Sequence, residues 1–249
     1  MNGIQRFLAL PVAALMALAA SPAIAAQYAI IKTTMGSIVV ELDDEKAPIS
    51  VENFEAYAKD GFYANTVFHR VMPGFMIQGG GFDHHGNYPA GLHDKSGHQE
   101  MRPPITNEWK NGLKNMRGTL AMARLGNQPD SATAQFFINL KDNGFLDQAR
   151  DGAGYAVFGK VIAGMDVVDR IAQVPTSTIN RMQNVPTIEV RIDSVEVVSK
   201  DAAMKVAEGA KLAAATRRLA TAEAELAAAQ AEVDAARKAL EAAKSEDSK

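Results

Sequence analysis

Glycine, proline and polar turn residues cut the chain between Gln27 and Ser199 into short pieces, and this punctuation limits what that stretch can fold into. Only two pieces carry a helical apolar period. The rest are brief runs of Val, Ile, Phe, Thr and Met, with the composition of strands. QYAIIKTTMGSIVVEL (Gln27–Leu42) has β-rich runs on both sides of Met35-Gly36 and reads as a hairpin. Pro48-Ile49-Ser50 opens a helix with Ser50 as its N-cap, an apolar stripe of Val51, Phe54, Tyr57 and Ala58, and a stop at Gly61. Strand-like runs follow at Thr66–Val71, Met76–Gly79, Thr119–Met122, Phe136–Leu140 and Tyr155–Val161. Gly164–Val174 reads as a second helix and Thr187–Ser199 as a last strand. Many short strands around two helices predict a mostly β fold, a closed or nearly closed antiparallel barrel.

After Lys200 the punctuation stops. Asp201–Lys249 is mostly Ala, Glu, Lys, Arg and Leu, with a single Gly209 and neither proline nor aromatic. That composition predicts one long C-terminal α-helix and a domain boundary between 199 and 200. Leu212, Leu219, Leu226, Val233 and Leu240 recur every seven residues, and Ala215, Ala222, Ala229, Ala236 and Ala243 follow each by three. This large–small heptad pattern fits closely packed helices. Three arrangements stay open: a weak parallel homodimer through 212–243, packing on the chain's own barrel, and a solitary solvated helix.

The first 26 residues read as a secretory signal: basic Arg6, an apolar run from Phe7 to Ala20, Pro22, and small residues ending in Ala23-Ile24-Ala25. Cleavage is expected after Ala25 or Ala26, leaving a periplasmic protein with no membrane attachment. The apolar run is short for a bilayer span of ~20 residues; an uncleaved anchor is the alternative. The chain has no cysteine, which excludes disulfides, thiol catalysis and thiolate-bound zinc. A formal net charge of −3 gives no basic field for nucleic acid.

The segment FHRVMPGFMIQGGG (Phe68–Gly81) sets the chemical problem. It holds an arginine, a histidine and a glutamine among apolar and glycine residues, with no Ser or Cys nucleophile and no carboxylate. Arginine is rarely buried without a partner, so Arg70 on an apolar strand needs an explanation; an ion pair with a distant carboxylate is the bland one.

Taken together, GFYANTVFHRVMPGFMIQGGG (Gly61–Gly81), NGLKNMRGTLAMAR (Asn111–Arg124), SATAQFFINL (Ser131–Leu140), FLD (Phe145–Asp147) and GYAVFGKVIAGMDVVD (Gly154–Asp169) resemble, in order, the cyclophilin family of peptidyl-prolyl isomerases, in particular its bacterial periplasmic members. The resemblance spans about Ala29–Val198. It implies a closed eight-stranded antiparallel barrel capped by two helices, and an enzyme that rotates the bond before proline without breaking any bond. By resemblance Arg70, Phe75 and Gln78 carry catalysis: Arg70 as a fixed donor near the prolyl group, Gln78 orienting it. Met76, Phe137 and Leu146, with Phe75, would line the proline pocket. Ala123, Arg124 and Gln135 would border the groove. Phe145 stands where better-known eukaryotic members carry tryptophan, and Tyr155 where they carry histidine; tight cyclosporin binding is doubtful without the indole donor. The implied partners are proline-containing polypeptides, with no cofactor and no metal.

His69 invites a role as general base, but bond rotation needs no proton transfer, so it is expected to be structural. The loop Gly81–Glu100 holds His84, His85, His93 and His98 at irregular spacing and is expected to be solvated and metal-free. Three functions follow from different parts of the chain: a secreted isomerase, a non-catalytic peptide-binding chaperone, and a scaffold acting through the tail.

Overall fold

The computed structural model describes residues 27–82, 102–179 and 181–246. The expected signal segment and residues 83–101, with all four histidines of the loop, lie outside the described residues. The hairpin forms as expected: β1 (Tyr28–Thr33) and β2 (Gly36–Leu42) pair antiparallel, with Thr33 opposite Gly36. Then come α1 (Pro48–Lys59), β3 (Thr66–Val67), β4 (Arg70–Met72), β5 (Met76–Gly79), β6 (Thr119–Met122), β7 (Phe136–Asn139), a 3₁₀ turn (Gly144–Asp147), β8 (Val157–Ala163), α2 (Met165–Ile171), β9 (Thr176–Ile179), β10 (Met182–Pro186), β11 (Arg191–Val198) and α3 (Lys200–Glu246).

The expected closed eight-stranded barrel is corrected to a curled sheet of nine strands that does not close, in the order β3-β11-β1-β2-β8-β6-β7-β5-β4. The cause is local. The run expected as one strand from Thr66 to Val71 breaks at Phe68-His69. Its first half pairs with β11 (Val67 opposite Arg191) and its second with β5 (Arg70 opposite Gln78). The two edges of the sheet are therefore successive pieces of one segment. Between them the Phe68 N–H donates to the Val190 carbonyl at 2.9 Å, and the Phe68 ring is fully buried. β9 and β10 form a separate two-stranded ribbon that the sequence pattern missed.

The concave side holds the main core. Inward residues of the strands meet Val51, Phe54, Tyr57 and Ala58 of α1 and Val167, Val168 and Ile171 of α2. The Phe54 ring lies 5.2 Å from Tyr63, 5.6 Å from Phe136 and 5.3 Å from Phe158. Burying one such side chain is worth about 2–3 kcal/mol. Ser50 is not the N-cap of α1. Ala47 holds that position, Pro48 opens the first turn, and a distant carboxylate does the capping. Glu108 accepts from the Ile49 N–H (3.0 Å), the Ser50 N–H (2.8 Å) and the Ser50 hydroxyl (2.6 Å). A negative charge there also suits the helix dipole.

α3 begins where the composition changes, and its first turns pack on the sheet. Ala203 and Ala207 are buried against Tyr28, Val39 and Ala163, with Met204, Val206 and Ala210 beside them. Asp166 of α2 then accepts from both Arg170 (2.6 Å) and Arg217 of α3 (2.5 Å). From 215 to 243 every residue of α3 is exposed. With 47 residues the helix is about 70 Å long. No described helix is long and apolar enough to cross a membrane.

Candidate active site

Four strands carry the site in one row. In the antiparallel registers Arg70 of β4 faces Gln78 of β5, Gln78 faces Phe137 of β7, and Phe137 faces Ala121 of β6. Directly opposed residues share a face of a sheet, so all four point the same way. Their neighbours Val71, Ile77, Ile138 and Leu120 point the other way and are fully buried in the main core. The period of two therefore sends half of FHRVMPGFMIQGGG into the core and the other half onto the outer face.

There a second, smaller apolar cluster forms from Met76, Ala121, Phe137, Leu146 and Val157, with Phe75, Ala123 and Tyr155 partly buried on it. Above it opens a cavity of about 510 Å³. Of the eleven residues expected at the site, ten line this cavity: Arg70, Phe75, Met76, Gln78, Ala123, Arg124, Phe137, Phe145, Leu146 and Tyr155. Gln135, the eleventh, stands behind Gln78. Arg150 and Asp151 line the cavity too, and no sequence motif singled them out.

Arg70 is half-buried. Its Nη1 donates to Gln78 Oε1 at 3.4 Å, and Gln78 Nε2 donates to Gln135 Oε1 at 2.8 Å. Gln135 in turn lies against Gly81, where any side chain would overlap it. Burial lowers the guanidinium pKa from its ordinary value, but an arginine remains charged. No carboxylate among the described residues pairs with Arg70. The ion-pair account of a buried arginine belongs instead to Arg124, whose side chain is 1% exposed. Its Nη2 donates to Asp151 Oδ1 at 2.8 Å and to the Ala153 carbonyl at 2.5 Å; its Nε donates to the Gly154 carbonyl at 3.2 Å. The bond from the Arg124 guanidinium holds the Asp151 carboxyl below the usual range. The Arg124 guanidinium lies 4.5 Å from the Tyr155 ring centre, so what it offers the groove is a fixed aromatic plane. Tyr155 stands edge-on to Phe137 at 5.7 Å, Phe75 stacks on Phe145 at 5.7 Å, and Arg150 lies 5.7 Å from the Phe145 ring.

A buried polar network below the cavity was also missed. Asn115, Asn139 and Asn143 are fully buried. Asn139 Nδ2 donates to Asn115 Oδ1 at 3.1 Å and to Thr119 Oγ1 at 3.0 Å, while Asn143 Nδ2 donates to Asn139 Oδ1 at 2.8 Å and to the Phe75 carbonyl at 2.9 Å. Asn115 Nδ2 donates to Asp147 Oδ1 at 2.8 Å and to the Tyr155 carbonyl at 3.2 Å. Three cavity walls, at Phe75, at the 3₁₀ turn and at Tyr155, are thus tied to one another.

His69 is 2% exposed and sits edge-on to Phe82 at 4.4 Å. Burial, with help from the Arg70 charge, lowers its pKa to about 3. The unfolded chain takes up this proton near the ordinary 6.5 and the folded chain only near 3. Between those values the unfolded state holds more protons, so the stability is whole above 6.5 and drains away as pH falls toward 3. Urea midpoints should therefore drop from about pH 7 to about pH 4, and His69→Gln should remove part of that slope. An unchanged slope would place His69 elsewhere than in a dry pocket.

Among the described residues no Ser, Thr, Cys, Lys or His lines the cavity, and the single carboxylate there, Asp151, is held by Arg124. Among the described residues no group of three or more His, Asp or Glu could hold a metal. What the surface can offer is an apolar depression and two arginines without a carboxylate partner among the described residues: Arg70, oriented by Gln78, and Arg150, over the Phe145 ring. The family model for cyclophilin-type peptidyl-prolyl cis-trans isomerases matches residues 28–197. The chain belongs to the cyclophilin family. Its enzyme class is peptidyl-prolyl cis-trans isomerase, the name carried by relatives on every side. A peptidyl-prolyl cis-trans isomerase of Acinetobacter baylyi is 58% identical over 168 residues, 68% of this chain and 84% of that one. Peptidyl-prolyl cis-trans isomerase A of Dickeya dadantii is 47% identical over 199 residues, 79% of this chain and 99% of that one. A cyclophilin-type isomerase structure from Cryptosporidium parvum aligns with a TM-score of 0.56 at 26% identity, covering 70% of this chain and 99% of its own. Cyclophilins bind proline-containing peptides. The exposed part of α3 lies beyond the stretch that the family model matches.

Proposed function

We propose that this isomerase acts on exported proteins in the periplasm and that it works without covalent chemistry, through Arg70. The planar imide before proline is held by resonance that draws electron density from nitrogen to oxygen, with a barrier of ~18–20 kcal/mol. Twisting the bond removes that resonance, and the nitrogen becomes a hydrogen-bond acceptor. An apolar depression formed by Phe75, Met76, Phe137 and Leu146 receives the proline and disfavours the charge-separated planar form. A donor already aimed at the twisted form stabilises it without reorganisation. The observation that carries this reading is the state of Arg70: half-buried, unpaired by any described carboxylate, and fixed through Gln78 and Gln135. The exported setting rests on the signal-like pattern of Met1–Ala26.

The test is refolding of a protein whose slow phase is proline isomerisation, followed with and without the enzyme. Acceleration should be nearly constant between about pH 6 and 9 and indifferent to a chelator, because no group in this scheme titrates there. A bell-shaped profile or loss with the chelator sinks the mechanism. Fractionation of the producing cell tests the setting: a cytosolic, full-length product contradicts it.

A further inference from the structure

The five large apolar residues of the α3 heptad are all solvent-exposed: Leu212 70%, Leu219 60%, Leu226 72%, Val233 46% and Leu240 57%. The docked base of α3 shows why its own domain never covers them. Ala203, buried on the sheet, and Leu212 are nine residues apart, about two and a half turns, so they lie on opposite sides of the helix. The helix that holds the barrel with one face turns its leucine edge away from it. A partner laid along that edge meets no barrel, and the catalytic row on β4, β5, β7 and β6 stays clear, because α3 docks on β1, β2 and β8.

We infer that this edge is covered by a second copy of the chain, as a parallel, in-register two-stranded coiled coil over 212–243. Charge selects both the partner and its direction. With Leu212 as position a, the flanking residues that meet across a parallel pair are g with the next e of the partner. Arg218 then faces Glu223 of the other copy, and Glu232 faces Arg237; each occurs twice by symmetry. The remaining such pair, Glu225 with Gln230, is neutral to charge. The antiparallel alternative that sets each leucine opposite an alanine over the same span brings Glu225 against Glu232 twice, with no opposite-charge pair in return. Among the described residues the only ion pair made by α3 is Arg217 with Asp166, so Arg218, Glu223, Glu232 and Arg237 are available. Alanine at every d position lets two helices approach closely, and the leucine layers alternate with those alanine layers. The inference does not depend on the mechanism proposed for Arg70.

The absence of cysteine makes a clean test possible. In the chain from Gln27 to Lys249, Ala222→Cys places a thiol at a d position. In a parallel pair it meets its own counterpart and cross-links under mild oxidation at dilute concentration, whereas Ala224→Cys, on the outer face, does not. Sedimentation of the unmodified chain should show mass per particle doubling as concentration rises. Leu219→Glu with Leu226→Glu should give a monomer with unchanged helicity and unchanged activity per site. Arg218→Glu should weaken association at least several-fold, and adding Glu223→Arg should restore it. A monomer at every concentration, equal cross-linking at 222 and 224, or a dimer that survives the double glutamate variant each overturns the inference.

Discussion

Arg70→Ala is expected to slow catalysed exchange of a proline peptide by about 10²-fold or more, the usual cost of removing one preorganised donor. That factor corresponds to about 2.7 kcal/mol of transition-state stabilisation. The geometry predicts that the loss falls on rate and not on folding. Among the described residues the Arg70 side chain bonds only to Gln78, at 3.4 Å, and makes no ion pair, so its removal strands no described buried charge. The thermal midpoint should move by no more than a few degrees. Arg70→Lys keeps the charge but loses the planar fork that Gln78 orients, and should fall between the two. His69→Gln, next to it but turned into a dry pocket, should cost far less activity. If His69→Gln were the more damaging, the donor would have been assigned to the wrong residue.

Asn139→Ala should be the most destabilising single change among the polar residues of the domain, by about 3 kcal/mol. Asn139 is fully buried between Asn115, Thr119 and Asn143 and exchanges hydrogen bonds with all three. Truncation leaves the Asn115 acceptor and an Asn143 donor unsatisfied where water is excluded, and each such orphan costs about 1–3 kcal/mol. The same two side chains, Asn143 and Asn115, tether the Phe75 carbonyl and the 3₁₀ turn, so the substrate's apparent affinity should weaken along with stability. Urea unfolding and substrate titration on the same sample check both. A loss below about 1 kcal/mol would mean that the network is filled by water, with little contribution of its own.

How much of this was legible in the sequence depended on the reach of the signal. Period-two alternation is local, and it placed Met76–Gly79 and Thr119–Met122 at their observed limits. The site residues came from the family resemblance alone, and ten of the eleven line one cavity. The break at Phe68-His69 was invisible because both residues continue a β-like pattern; what ends the pairing is the pull of two different partner strands, β11 and β5. Glu108 could not be read as the cap of α1 from 58 positions away. The Asn115, Asn139 and Asn143 cluster is scattered over three segments, and a lone asparagine normally signals a turn. In β9 and β10 the polar TSTI and MQNVP runs carry too little alternation to announce a ribbon. The tail's composition gave its helix, yet the docking of Ala203 and Ala207 depends on a surface formed by Tyr28, Val39 and Ala163, distant in sequence.

The carboxylate of Asp166, gripped by Arg170 and Arg217 at once, gives α3 the mechanics of a cantilever. Arg217 is the last residue of α3 with a described ion pair to its own domain, and about 40 Å of helix follows it. Angular play at the root is multiplied by that length, so one degree of tilt swings the far end by about 0.7 Å. The root is partly wet, with Arg217 47% and Asp166 23% exposed, and ions in the surrounding fluid weaken such a grip. The direction of the beam is therefore set at two places, the apolar seat of Ala203 and Ala207 and this electrostatic joint, and salt loosens only the second.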